Sequence, residues 1–183
     1  MTADQSALIV GASGGIGRAL VKRLLEDGRY RSVIGISRSE APQPELATQQ
    51  RLRWLPCAGT PAAIEATAAE LEDALPRLSR IVICSGILHD AEHGPEKSLE
   101  QLDAEWMATV LQANSITPML WLRALAGKLQ RKQACRIAVL SARVGSISDN
   151  QLGGWYSYRA SKAALNMLLK TAAVELSRRA PAC

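Results

Sequence analysis

The chain has 183 residues, 48% of them hydrophobic and 21% charged, with a formal net charge of +5 at pH 7. That length implies one domain, over residues 1–183, with room for a sizeable core, and the composition is that of an ordinary soluble protein. The basic residues are scattered, densest at Arg29 to Arg31, Lys128 to Lys132 and Arg178-Arg179 near expected helix ends, which argues for solvated side chains and against a nucleic-acid partner. Cys57, Cys84, Cys135 and Cys183 are far apart and include no Cys-x-x-Cys pair. A reduced cytoplasmic protein with buried thiols is therefore expected rather than a disulfide framework. The first residues, Met-Thr-Ala-Asp-Gln-Ser, show no charged-then-apolar leader pattern, and no apolar run reaches membrane-spanning length, so no membrane partner is expected. His89 and His93 share a loop with Asp90 and Glu92, but without a third soft ligand nearby no metal site is expected.

Apolar runs without alternation recur along the chain: Ala7 to Val10, Ser32 to Ile36, Leu52 to Leu55, Ile81 to Cys84 and Ile137 to Leu140. Such short runs rich in Val, Ile and Leu read as strands buried on both faces. Helical stretches separate them, at Gly15 to Asp27, Pro61 to Leu75, Asp103 to Gln130 and Tyr156 to Arg179. Strand and helix alternate with no consecutive hairpins, which predicts an α/β, doubly wound, mostly parallel sheet with helices on both faces. Ligands on such sheets gather at the carboxyl ends of the strands. The loops Ser39 to Gln50 and Gly86 to Lys97 are the long irregular connections, and the second follows a strand end, where substrate would be met.

Two stretches carry chemistry. The first strand ends in Gly11-Ala12-Ser13-Gly14-Gly15-Ile16-Gly17. Glycine at position 11 permits a backbone conformation closed to residues with a Cβ, and Gly15 and Gly17 would let a ligand or the neighbouring strand come close. Free N–H groups and the positive dipole end at the following helix start suit a phosphate. Read alone, the turn fits either a phosphate cradle or a glycine-rich bend that binds nothing. The second stretch contains Tyr158 and Lys162, which are four apart and face the same way on a helix. An ammonium beside a phenol favours the phenolate and lowers its pKa; the alternative is a half-buried tyrosine beside a solvated lysine.

Gly11-x-x-x-Gly15-x-Gly17 near the N-terminus, Asn114 in a mid-chain helix, and Tyr158-x-x-x-Lys162 closely resemble, in order and separation, the short-chain dehydrogenase/reductases over essentially the whole chain. The wording from Gly153 to Lys162 looks most like the C-factor-type and carbonyl-reductase-like branch. The resemblance implies a Rossmann fold that binds a dinucleotide through Gly11, Ser13, Gly14, Gly15, Ile16 and Gly17, with Ser85 and Gly86 passing close to the adenosine. It implies that Tyr158 is the general acid or base at the carbonyl oxygen and that Lys162 bonds the nicotinamide ribose and depresses the tyrosine pKa. Asn114 would hold a water linking that lysine to solvent, at an irregularity in its helix. After the second strand, Gly35-Ile36-Ser37-Arg38-Ser39 has no acid for a ribose hydroxyl. Ser37 and Arg38 would instead take a 2′-phosphate, so NADP(H) is expected over NAD(H), with Arg18 a further source of positive charge. The family also places the helix around Asn114, with Trp106 and Trp121, and the Tyr158 helix at a subunit interface, which implies a homodimer or homotetramer.

The chain departs from the family pattern in places. Ala142 stands where the family serine bonds the substrate carbonyl. Ser141 would point away from an extended strand and Ser146 follows the next glycine; one of the two is expected to supply the missing hydroxyl. Ile83-Cys84-Ser85-Gly86 replaces the usual Asn-Asn-Ala-Gly, and Ala58-Gly59 replaces an acid near the adenine. The chain also ends where another strand and a substrate lid are expected, which reads as a fragment in preference to a naturally short member. The resulting expectation is an oxidoreductase moving hydride between NADP(H) and a small carbonyl/alcohol substrate, in a pocket shaped by Leu88, His89 and Trp155. The alternative is a non-catalytic dinucleotide-binding or signalling protein on the same scaffold.

Overall fold

The unalternated apolar runs form buried strands because each one divides its side chains between two cores. In the computed structural model, which describes residues 4–129 and 134–179, the strands are β1 (Gln5–Val10), β2 (Tyr30–Ser37), β3 (Leu52–Pro56), β4 (Leu78–Ile83) and β5 (Arg136–Val139). They pair in parallel in the order β3-β2-β1-β4-β5. Gln130, Lys132 and the segment from Ala180 to Cys183, which the sequence reading placed in a helix end, a basic cluster and a stop, lie outside the described residues. The helices are α1 (Gly15–Glu26), α2 (Pro44–Ala47), α3 (Pro61–Ala69), α4 (Ala104–Leu111), α5 (Thr117–Ala126) and α6 (Tyr156–Arg179).

Leu8, Val10, Ile34, Ile36, Ile81 and Ile83 turn to one face, where they meet Ile64 and Ala68 of α3 and Trp121 and Leu125 of α5. Their neighbours Ala7, Ile9, Val33 and Val82 turn to the other face, against Val21, Leu24 and Leu25 of α1 and Leu46 of α2. Alternate burial on both faces is the geometry of a period-2 backbone covered on two sides. β1 lies at the centre, with Leu8 opposite Ile34 on one side and Ile81 on the other. Among the described residues β5 pairs with β4 alone, and its Arg136 and Ala138 are exposed.

Two helical expectations change, and the irregularity expected at Asn114 takes a definite form. The stretch from Pro61 stops at Ala69 and gives way to a turn and a 3-10 segment at Leu75–Arg77. The loop from Ser39 to Gln50 contains α2, too short to show a helical period, held by burial of Leu46. The long mid-chain helix is divided by a π turn at Gln112–Ile116. Pro118 has no N–H to offer the Asn114 carbonyl, and the ladder widens, with the Thr117 amide donating to Gln112 O. A single-turn π insertion in a helix frequently marks a functional position.

Gly35, in the middle of β2, makes room for an aromatic ring. A Cβ there would lie 2.8 Å from the Trp54 ring and 3.1 Å from Ala12 Cβ. Trp54 in turn donates from Nε1 to Ser39 O at 2.9 Å, fixing the loop that follows β2. Gly35→Val is expected to displace the ring and destabilise the fold by about 1–3 kcal/mol, measured as a lower urea midpoint at unchanged slope.

Candidate active site

The β1–α1 turn is folded by close backbone approach. Gly11 has φ +81, and a Cβ on it would lie 3.0 Å from the Ser85 amide nitrogen in the loop after β4. A Cβ on Gly17 would run into the Gly11 carbonyl oxygen, whereas Gly15 faces open space. Helix α1 begins after Gly14 without a side-chain cap, so its first amides point outward without a side-chain acceptor. They border a cavity of about 700 Å³ lined by Gly11, Ser13, Gly14, Ser37, Arg38, Ser85 and Gly86, with Thr109 and Gln112 across from them. Ser85, which lines this cavity, has a buried hydroxyl with no hydrogen-bond partner. An orphaned hydroxyl, uncapped amides and a glycine cradle at the carboxyl ends of parallel strands fit a dinucleotide. Cys84, beside Ser85, is half-buried, and that burial pushes its thiol up to about 11.

At the end of β2 the two residues expected to hold a phosphate differ. Ser37 is buried, donates to Ser13 Oγ at 2.6 Å, and accepts from the Ser39 amide at 3.1 Å. Its hydroxyl ties the two turns together and is not left over for a ligand. Arg38 lines the cavity and is exposed. Arg18 donates to Gln43 Oε1 and lies 3.9 Å from Glu45, which also pairs with Lys22 at 3.1 Å. Arg18 therefore braces α2 instead of standing free.

Asn114, in the π turn, is fully buried and bonds on all sides. Its Oδ1 accepts from the Ile87 amide at 2.7 Å, and its Nδ2 donates to Ile87 O at 2.8 Å and to Ser161 Oγ at 3.0 Å. Ser115 Oγ donates to Ser161 O at 2.6 Å. These bonds hold the β4 loop and α6 against the π turn. Lys162, 3% exposed, donates from Nζ to Leu140 O at 2.9 Å. Its nitrogen lies 5.8 Å from the centroid of the Tyr158 ring and 3.4 Å from where a Gly86 Cβ would be. The pair thus adjoins the cavity past Gly86 without lining it.

The expected depression of the Tyr158 pKa is not what the geometry produces. Burial pushes the phenol up, and burial also pulls the Lys162 ammonium down. The lysine sits below the ring, bonded to a backbone carbonyl, so desolvation outweighs its charge.

Beyond β5, Ala142 is extended (φ −148, ψ 151). Ser141 points away, donating to Asn166 Oδ1 at 2.6 Å. Ser146 lies 3.4 Å from Ser148 Oγ and accepts from the Asp149 amide at 3.4 Å. Neither hydroxyl bonds Tyr158. The turn at Arg143–Gly145 presses on α6 so closely that a Gly145 Cβ would come within 2.9 Å of Lys162 Cβ.

The loop from Gly86 to Lys97 crosses to α4 and α6. His93 bonds Asp90 and stacks on Trp106 at 4.6 Å, and among the described residues no three His, Cys, Asp or Glu converge as metal ligands. Trp106 and Trp121, expected at a subunit interface, are buried within the chain itself. Sequence reasoning missed Glu96, Asn166 and Arg159. Glu96 is buried and takes hydrogen bonds from the start of α6; Arg159 donates to Gly154 O at 3.0 Å.

Among known proteins, the chain is 27% identical over 174 residues to the 1-hydroxy-2-glutathionyl-2-methyl-3-butene dehydrogenase of Rhodococcus sp. (strain AD45), covering 89% of this chain and 67% of that protein. The C-signal of Myxococcus xanthus is 34% identical over 79 residues, 43% of this chain and 48% of that one. The crystal structure of an NADPH-bound carbonyl reductase from chicken fatty liver superposes with a TM-score of 0.81 at 26% identity, covering 96% of this chain and 72% of that chain. The chain spans about two thirds of the length of the first curated relatives it matches. The family model for short chain dehydrogenase matches residues 5–180. With the parallel sheet, the glycine turn and these relatives in agreement, the chain belongs to the short-chain dehydrogenase family of NAD(P)-dependent oxidoreductases.

Proposed function

We propose that the protein reduces a carbonyl to an alcohol, or runs the reverse reaction, with NADP(H) in preference to NAD(H). The observation that carries this reading is the cluster of buried Asn114, Ser161 and Lys162 with partly exposed Tyr158, beside a glycine-lined cavity. The amides of the β1–α1 turn, Ser85 and Gly86 would hold the dinucleotide, and Arg38 its 2′-phosphate. When bound, the cofactor supplies or accepts the hydride. Tyr158, its phenol held neutral by burial, donates a proton to the carbonyl oxygen. Lys162 and Asn114 orient the tyrosine and keep α6 against the cofactor loop. Ser141 is engaged by Asn166, so Ser146, whose contacts are at the limit of hydrogen bonding, is the serine left to reach the substrate. The exposed Met167, Leu168 and Val174 of α6 support association with further copies of the chain.

Tyr158→Phe is expected to abolish turnover while leaving NADPH binding intact; unchanged response of the cell or partner to this variant would favour the signalling alternative. Because burial raises the phenol pKa, the proton-carrying form persists on the alkaline side of neutrality. The rate of reduction should then hold through the alkaline side of neutrality and fall only above the ordinary tyrosine range near about pH 10, as read from kcat profiles at saturating NADPH.

Arg38→Ala is expected to weaken NADPH binding by about tenfold through loss of a charge-assisted bond, with NADH little changed. Titration of both cofactors against both proteins checks this, and tighter NADH than NADPH binding by the natural chain would refute the cofactor preference. Ala142→Ser should add a donor at the carbonyl oxygen to those of Tyr158 and Ser146 and raise kcat on the order of tenfold, with Ser141→Ala leaving it unchanged.

A further inference from the structure

We infer that Trp155 forms an aromatic wall of the substrate site, that the buried carboxylate of Glu96 holds it there, and that the substrate is a flat, apolar aromatic carbonyl compound. This inference rests on the proposed reductase reading and names its substrate class.

Gly153, Gly154 and Trp155 have φ of 65, 64 and 55, three left-handed residues in succession. Glycine takes this conformation freely; tryptophan does so only where its surroundings force it. The forcing contacts are specific. The Trp155 amide donates to Glu96 O, and the Ser157 amide and hydroxyl both donate to the Glu96 carboxylate. Gly153 N donates to Asn150 Oδ1 at 3.1 Å, and Arg159 Nε donates to Gly154 O at 3.0 Å. A Cβ on Gly154 would lie 3.3 Å from Glu96 O, so the carboxylate's own backbone needs glycine opposite it.

Glu96 is 4% exposed, and among the described residues no Lys or Arg nitrogen pairs with it. A buried carboxylate without a cation is expensive unless donors surround it. Here the donors are the amide and hydroxyl of Ser157, the second residue of α6, and the positive dipole end of the helix adds to them. The carboxylate thereby holds the first turn of the helix at the residue before Tyr158.

The outcome is an indole set edge-on to the Tyr158 ring, with centroids 6.3 Å apart and planes at 74°. Trp155 is 38% exposed, unlike the core residues Trp106 and Trp121 at 5% and 2%. Strain, a buried clamp and partial exposure beside the proton donor are not features of core packing. Nearby in the chain, Ile147 and Leu152 are 84% and 92% exposed, and the family resemblance implies that Ala142 puts a methyl group where a hydroxyl would otherwise sit. A half-exposed indole recognises flat apolar rings by stacking.

The test compares acetophenone with 2-octanone, ketones of equal carbon number, using the full chain. Kinetic constants with NADPH and calorimetric binding of each ketone are measured for the natural protein, Trp155→Ala, Glu96→Ala and Glu96→Gln. The natural protein should favour acetophenone. Trp155→Ala should raise its KM and Kd up to about tenfold, and those of 2-octanone less than about twofold, with NADPH affinity unmoved. Glu96→Ala should reproduce this pattern, and Glu96→Gln, which keeps an acceptor oxygen, should restore most of the preference. Should Glu96→Ala not fold by circular dichroism, Trp155→Ala and Glu96→Gln decide. Equal weakening of both ketones in Trp155→Ala, or no acetophenone binding by the natural protein, overturns the aromatic wall. A Glu96→Gln protein that has lost the preference overturns the positioning role. Acetophenone binding that depends on Trp155 without any turnover upholds the wall and refutes the reductase reading alone.

Discussion

The Asn114 side chain lies fully buried where the π turn, the loop after β4 and α6 meet, and its three hydrogen bonds set how those segments sit. Leaving such an amide unsatisfied costs about 1–3 kcal/mol, so the geometry around it is strongly preferred. Pro118 makes this arrangement possible by removing the donor that would have closed a regular α-helical turn. Ser161 passes the constraint into α6, where Lys162 and Tyr158 follow. The site is thus assembled by one polar junction between segments that are far apart in sequence.

The cofactor half depends on a different constraint, the approach of one backbone to another. Gly11 sits against the Ser85 amide, Gly17 against Gly11, and Gly35 under the Trp54 ring. The Ser37–Ser13 hydroxyl pair then links the ends of β1 and β2. Each of these contacts holds a turn at a strand's carboxyl end, which is where the cavity opens. Residues that the family usually supplies near the adenosine are absent here, but the shape of the cradle comes from glycines and strand register, and those are present. Affinity is therefore the property exposed to these losses, more than the placement of the dinucleotide.

Local periodicity made the parallel sheet legible: five apolar runs became five strands, with ends displaced by a few residues. The glycine turn and the Tyr158–Lys162 spacing were equally local signals. What escaped was set by contacts across the chain. Helix α2 is held by burying Leu46, not by its own pattern. The bond of Ser37 to Ser13, twenty-four residues away at the cavity's edge, is likewise a contact that local sequence does not show. Trp106 and Trp121 lie on the helix expected at an interface, and a sequence does not show that both side chains turn inward, Trp121 to the sheet core and Trp106 onto His93. The pKa of Tyr158 depends on desolvation, and helical spacing to a lysine carries no information about that. Glu96 was invisible for the same reason, since its value lies in donors about sixty residues downstream.

The two sides of Tyr158 differ in polarity, and that difference bears on the chemistry. Toward Lys162 lies a polar set, in which the ammonium donates to Leu140 O and Ser161 Oγ donates to the Tyr158 carbonyl. Against the ring also stands the Trp155 indole, while Ser141 and Ser146 are turned to Asn166 and Ser148. As hydride reaches a carbonyl carbon, negative charge builds on oxygen, and each donor aimed at that oxygen lowers the barrier. In the proposed reaction, with the phenol as the chief donor, the substrates best served would be those that spread this charge themselves over a conjugated ring. Alanine at position 142 and the proposed indole wall would then act in one direction, favouring flat conjugated carbonyls over isolated aliphatic ones.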